Sequence, residues 1–388
     1  VKADLHCNVA IIGGGPAGST LGTLLKKYAP ELDVVILERE RFPREHIGES
    51  QLPPVSAILH EMGVWDKVEA ANFPVKVGGT FLWGQSSQLW DINFVPKASY
   101  ENMQRPGAFE GISGFQVADG RTVMADYYVD ASGGAAVMRR AMGIETDCPT
   151  QLRNVAVWDY WESDEWEEGL GLGGTRVHII SLGYGWVWVI PLGPKKASVG
   201  LVFPAKYLKE SGKEIAVLYG EALRADPTLV RLLAAGSASG RLQKTKDWSF
   251  VANRMSGKNW FLVGESAGFA DPILSAGLTL AQGGARELAY TLVAIYRSEH
   301  DPEWLKSYYS ANQERRVRQH IRFADFFYAA NGQFSELREN CAEIAKASGL
   351  TLTPDAAWRW LTVGGFTNEV IGQPALAGFD LDSARQVT

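Results

Sequence analysis

The stretch Asn8-Val9-Ala10-Ile11-Ile12-Gly13-Gly14-Gly15-Pro16-Ala17-Gly18-Ser19 decides the fold. Asn8 to Ile12 is a short apolar run that reads as a buried strand, Ala17 to Tyr28 reads as a helix, and Asp33 to Leu37 is a second strand rich in β-branched residues. The three form a βαβ unit. Gly13, Gly15 and Gly18 stand as G-x-G-x-x-G directly after the strand, with Pro16 and Ala17 opening the helix. In that context the first glycine makes a tight turn, the second lets backbone approach a pyrophosphate, and the third permits close helix packing, while the helix N-terminus supplies N–H donors. Glu38, twenty positions after Gly18 and followed by Arg39, ends the second strand where a carboxylate can accept from a ribose. These seven residues predict a dinucleotide site; a glycine-rich structural turn is the alternative.

The remaining composition narrows the class. A chain of 388 residues, 46% hydrophobic and 21% charged, can bury a large core in two or three lobes. A formal charge of -6 gives no basic footprint, which argues against nucleic acid and anionic membrane as partners. No apolar run approaches the roughly 20 residues that cross a bilayer, and no charged-then-apolar leader is seen at the N-terminus. Cys7, Cys148 and Cys341 are odd in number and scattered, which fits a reducing cytoplasm and neither a disulfide framework nor a thiolate metal site. No metal is expected. Thirteen Trp are many for this length and suit either a pocket for an aromatic molecule or ordinary core filling.

The expected architecture is α/β: a Rossmann-like dinucleotide domain, a mixed but mostly antiparallel β-sheet substrate domain, and a C-terminal helical region. Residues 1–72, 115–150 and 255–300 are assigned to the first, 73–114 and 151–254 to the second, and 301–388 to the third. A strand at Met124 to Asp130 ends in the small-residue turn Ala131-Ser132-Gly133-Gly134, and Trp260 to Val263 begins a second strand-turn-helix. The two dinucleotide-like pieces are far apart in sequence and must meet if one cofactor uses both. Between Tyr100 and Gly120 the chain is short for the crossover that this architecture places before the Met124 strand. The junction at Gln104-Arg105 therefore reads as one from which a segment is absent.

The second piece reads Gly264-Glu265-Ser266-Ala267-Gly268-Phe269-Ala270-Asp271-Pro272, then Ser275-Ala276-Gly277-Leu278. With the first motif it resembles the para-hydroxybenzoate-hydroxylase-like flavoproteins, in which the second motif usually reads Gly-Asp and the acid holds the ribityl chain of FAD. Glu265 is one methylene longer. The resemblance implies FAD contacts from Gly264, Glu265, Pro272, Gly277 and Leu278, and from Glu49-Ser50 in the loop Arg44 to Pro54, which resembles the family's flavin-contacting strap. A simple capping turn is the alternative at Asp271-Pro272 and at Glu49.

Two further segments resemble flavin-dependent halogenases. Gly185-Trp186-Val187-Trp188-Val189-Ile190-Pro191 is similar to their W-x-W-x-I-P signature, and Phe73-Pro74-Val75-Lys76-Val77-Gly78-Gly79-Thr80-Phe81-Leu82-Trp83-Gly84 to their catalytic-lysine segment. The chain is most similar to the phenol- and pyrrole-halogenating branch, of which the myxobacterial chondrochloren type is an example. The resemblance implies reduced FAD from a separate flavin reductase, oxygen, chloride or bromide, and an electron-rich arene, free or tethered to an acyl or peptidyl carrier protein, in natural-product biosynthesis. Hypohalous acid made at the flavin would be relayed by Lys76, either hydrogen-bonded to it or as a haloamine. Trp186 and Trp188, two apart on a strand, share a face and would wall the arene from the flavin, unless they only pack a sheet. Backbone N–H groups at Ser275, Ala276 and Gly277 before a helix suit a halide. The tryptophan-specific branch carries a glutamate where this chain has Leu274, which argues against free tryptophan. A single-component NAD(P)H-dependent aromatic hydroxylase and a flavoprotein reductase of polyprenyl-type substrates are the rival readings. Arg315, Arg316 and Arg318, with Phe323, Phe326 and Phe327, read as an ordinary amphipathic helix.

Overall fold

The computed structural model describes residues 4–43, 48–83, 89–93, 112–117, 119–163, 166, 175–246, 249–329, 341–346 and 350–362. Strand β1 (Leu5–Ile12) leads through Gly13 to Gly15 into α1 (Pro16–Tyr28) and on to β2 (Val34–Leu37). Helices α2 (Pro54–Glu61) and α3 (Trp65–Ala70) precede β3 (Lys76–Leu82), β4 (Leu89–Asn93) and the short β5 (Phe115–Gln116). Then come β6 (Thr122–Asp130), α4 (Val137–Ala141), β7 (Thr146–Asp147), β8 (Asn154–Glu162), β9 (Thr175–Leu182), β10 (Gly185–Gly193) and β11 (Lys196–Pro204). Three helices that the sequence reading did not anticipate follow, α5 (Ala205–Ser211), α6 (Ile215–Arg224) and α7 (Pro227–Leu233). Strands β12 (Ser237–Ala238), β13 (Gln243–Lys246), β14 (Phe250–Ala252), β15 (Trp260–Leu262) and β16 (Gly268–Phe269) lead to α8 (Gly277–Tyr296), α9 (Pro302–Ala329) and α10 (Pro354–Thr362).

Two sheets carry the structure. In the first, β15, β6, β1 and β2 lie side by side and parallel, with β5 antiparallel on β6. Both faces are covered, so β1 and β15 are apolar throughout their middles, with Ile11, Phe261 and Leu262 fully buried. α1, α8 and α9 pack on one face around Leu21, Leu25, Leu288 and Tyr309. Because β15 hydrogen-bonds along β6, the two glycine-bearing turns, some 250 residues apart in sequence, end at one sheet edge. They meet, as a shared cofactor requires.

The second sheet runs β12-β8-β11-β10-β9-β3-β4, antiparallel except for the parallel pair β3 and β9. Its side chains alternate between two cores. One face gives Val157, Val187, Val199 and Leu201 to α6 and α7, an apolar cover with Leu218, Leu223 and Leu229. The other gives Phe81, Trp83, Trp158, Trp186 and Trp188 to an aromatic cluster closed by Phe323, Phe327 and Trp358 of α9 and α10. That second face positions the site.

α9 departs from the simple amphipathic reading. Arg316 is 2% exposed and ion-paired to Glu287 of α8, which Asn312 and Gln313 also reach, at 2.8 and 2.6 Å. A cation on the inner face of a helix buried between α8 and the aromatic cluster needs a charged partner. The suspected junction at Gln104-Arg105, the side chains of Leu274 and Phe326, and part of the strap, Arg44 to Ile47, lie outside the described residues.

Candidate active site

At the first turn Gly13 has φ +101, where a Cβ would collide with the Ala131 carbonyl, and the Cβ of any larger residue at Gly18 would overlap the Gly13 carbonyl. α1 opens at Gly15 with no side-chain cap and no acid in its first turn, so its N–H groups face outward as an anion site. Glu38 stands across them, accepting from Gly14 N at 2.7 Å and from Glu40 N at 2.8 Å. Arg39 is exposed and pairs with Glu40 at 3.2 Å. On the other side, Gly264 packs against Ala17, and Glu265 lies beside Gly133 and Gly134, where an added Cβ would be 3.5 and 3.8 Å from its Oε2.

The donor set fits FAD. Besides the glycine turn and two carboxylates, Thr279 Oγ1 and Gln282 Oε1 are buried without a hydrogen-bond partner among the described residues, near the start of α8. Such orphaned atoms in a glycine-lined cleft mark a polar ligand. Replacing Glu38 by Ala removes the acceptor that braces the turn, and weakening of FAD binding by about tenfold is expected, measured by flavin fluorescence titration.

The segment Asp271 to Leu278 forms one short 3-10 turn, Pro272–Leu274, and then the start of α8. Asp271 caps that turn, accepting from Ile273 N at 3.0 Å, as a capping reading expects. Ser275 adopts φ 56, and Ala276 begins α8 without a side-chain cap or an acid in the first turn. The backbone at Ser275 to Gly277 thus ends in uncapped helix donors.

Lys76 begins β3, and the strand slips register between Lys76 and Gly78: Gly78 pairs with Arg176, yet Lys76 pairs with Thr175. Counting back from Phe81 and Gly79, regular alternation would place residue 77 on the aromatic face. One extra residue in the strand turns Lys76 onto that face instead. Its Nζ donates to Ser50 Oγ at 2.6 Å, and burial of the ammonium pulls its pKa down to about 8. Lys76 as a whole is partly exposed, and its ammonium is held against Ser50.

Ser50 and Glu49 are the visible end of the strap. Ser50 is buried against Lys76, while Glu49 reaches the second sheet, where the hydroxyls of Tyr160 and Ser198 bond to it. Burial raises the Glu49 pKa; its Oε1 has no partner among the described residues. Ser198 also accepts from Trp188 Nε1 at 3.1 Å. Trp188 lies across Gly200, where any Cβ would overlap its ring. The Trp186 and Trp188 rings are 5.9 Å apart and 2% and 6% exposed, inside the aromatic cluster. They do pack a sheet face, as the alternative reading held, and the same face carries Lys76.

The family profile described as Tryptophan halogenase matches residues 8–109 and 97–337. The chain belongs to the tryptophan halogenase family. It is 29% identical over 360 residues to the tryptophan 2-halogenase of Chondromyces crocatus, covering 84% of this chain and 68% of that protein. To the 1H-pyrrole-2-carbonyl-[peptidyl-carrier protein] chlorinase of Pseudomonas fluorescens it is 25% identical over 388 residues, covering 86% of each. The structure of the myxobacterial chondrochloren halogenase, 23% identical, superposes with a TM-score of 0.72 over 96% of this chain and 99% of that one, and shows the same fold. Members of the family are flavin-dependent halogenases, so this chain is an FAD-using enzyme of that class. None of its described helices is long and apolar enough to cross a membrane.

Trp186, Trp188 and Lys76 share one face of the second sheet. Tyr328, Asn154, Ser198 and Gly200, which shape that setting, escaped the sequence reading. They come from three elements and carry no local motif. Asp271 alone had a signal, its place before Pro272.

Proposed function

We propose that this halogenase transfers an oxidised halogen through Lys76 to an electron-rich arene, a phenol or a pyrrole. The observation that carries this is the strand slip that turns Lys76 onto the face of the paired tryptophans, with its ammonium end enclosed beside Ser50. FAD, supplied reduced by a separate flavin reductase, would be held by Gly13 to Gly18, Glu38, Glu265 and the α8 seam and would provide with oxygen the oxidising equivalents that turn chloride or bromide into hypohalous acid. The uncapped start of α8 at Ser275 to Gly277 holds the halide. Trp186 and Trp188 exclude the arene from the flavin side. Lys76 then keeps the hypohalous acid, by hydrogen bond or as a haloamine with loss of water; the ring carbon takes the halogen and a ring proton leaves, giving aryl halide and water overall. The three-part division of the chain and a cytoplasmic setting belong to the same reading.

A carrier-tethered pyrrole is favoured as one substrate class by the peptidyl-carrier-protein chlorinase relative. The tryptophan 2-halogenase relative makes free tryptophan the competing class, against which Leu274 argues. Mass spectrometry of products from reduced FAD, oxygen, halide and free or carrier-loaded phenols, pyrroles and tryptophan tests this. Halide-dependent aryl halide from a phenol or pyrrole is expected. Hydroxylated product with NADPH oxidised by the protein alone would replace the reading with an aromatic hydroxylase.

The pH dependence distinguishes the two lysine chemistries. With its pKa pulled down to about 8, Lys76 is mostly ammonium at pH 7 and mostly amine at pH 9. Haloamine delivery needs the amine, so kcat should rise with a midpoint near the lysine pKa; hydrogen-bonded delivery should fall over the same range. Stability follows a fixed sign. A lysine with a lowered folded pKa contributes most above its unfolded value of about 10.4, and that contribution is lost as pH falls through about 8.

A further inference from the structure

We infer that Tyr328, near the end of α9, is a positioning residue that clamps the tryptophan wall to the turn leading into the halide site. The inference rests on the proposed halogenase reading and goes beyond it, since neither wall nor turn contains Tyr328. Its hydroxyl donates to Asp271, with Oδ1 at 3.0 Å and Oδ2 at 3.1 Å. It accepts from Trp186 Nε1 at 2.6 Å and from Asn154 Nδ2 at 3.2 Å. A phenol has one proton and two lone pairs, and all three are used.

The partners are equally committed. Asn154, on β8, gives its amide to Asp271 Oδ2 at 3.0 Å as well, and Asp271 takes Ile273 N on Oδ1. Asp271 is 4% exposed and Trp186 2%. Three segments thus converge on one oxygen from a fourth: β8, the Trp186 strand β10, and the Asp271 to Gly277 turn, gathered by α9. Without Tyr328 the indole N–H has no acceptor in a buried site, and a wall that is no longer pinned can tilt. Buried polar groups arranged with no spare capacity fix one geometry where apolar packing among Phe81, Phe327 and Trp358 would tolerate several.

The test uses the full chain loaded with FAD. Tyr328→Phe keeps the ring and removes the joint. Oxidation of reduced FAD by oxygen should proceed at the unaltered rate, while halogenated arene per flavin oxidised falls roughly tenfold, the scale of a lost buried hydrogen bond. Hypohalous acid captured by an added halogen-accepting diketone should rise to match. A merely structural defect would lower both reactions together, and that outcome, or an unchanged partition, overturns the inference. Trp186→Phe removes the same link from the other end and must shift the partition likewise, including where Tyr328→Phe does not fold. The double variant should be no worse than Trp186→Phe; additive losses would show that Tyr328 does not act through Trp186. If the unaltered enzyme yields neither aryl halide nor captured hypohalous acid, the parent reading falls; aryl halide with an unmoved partition removes the clamp alone.

Discussion

Lys76→Ala is expected to abolish aryl halide formation, by a factor on the order of a thousand or more, while FAD binding and oxidation of the reduced flavin by oxygen continue at the unaltered rate. Lys76 lies outside the glycine turns and Glu38, and its ammonium meets the strap at Ser50. Removing it therefore takes away the group that holds the oxidised halogen without disturbing the fold of the dinucleotide sheet. The measurement pairs stopped-flow flavin oxidation with mass spectrometry of the arene. Retained aryl halide would refute the relay, and loss of flavin oxidation would move Lys76 from delivery to oxygen activation. Lys76→Arg separates the two chemistries, because a guanidinium stays protonated and cannot become a haloamine: loss of activity is expected for haloamine delivery, and retained activity for delivery by hydrogen bond.

Arg316→Met carries the largest expected effect on stability. Glu287 and Arg316 are 3% and 2% exposed, and the substitution takes the guanidinium away from a buried carboxylate that the amides of Asn312 and Gln313 also reach. Breaking such a pair from one side costs about 3–5 kcal/mol, whereas replacing both partners with apolar groups is often near neutral. Chemical denaturation should show the single variant strongly destabilised and Glu287→Leu with Arg316→Met recovering much of the loss. Equal stability of the single variant and the unaltered chain would mean that water or another group replaces the cation.

The arginine also shows where reading the sequence stops. On α9, Arg315, Arg316 and Arg318 look alike, and their spacing suits a solvated stripe. Which of them turns inward depends on α8 lying against that helix, and nothing in the local sequence reports it. Arg318 stays half-exposed, bonded to Asp147 and Glu314. Tyr328 is a similar case: a tyrosine at helical spacing among phenylalanines looks like core, and its hydroxyl acquires a function only when Asp271, Asn154 and Trp186 arrive from distant segments.

The cofactor half was legible because its chemistry is local. A pyrophosphate-binding turn needs glycine where a Cβ would strike backbone, a helix immediately after it, and an acid at the end of the next strand. Those demands fall on residues within one βαβ unit and leave a readable spacing at Gly13, Gly15, Gly18 and Glu38. The W-x-W alternation was legible for a related reason, since a strand puts every second side chain on one face. What only the tertiary structure decided was the aim of Lys76, the partners of Glu49 and the joint at Tyr328. Each depends on strand register or on contacts between elements far apart in the chain, and one slipped residue in β3 is enough to reverse which face a side chain takes.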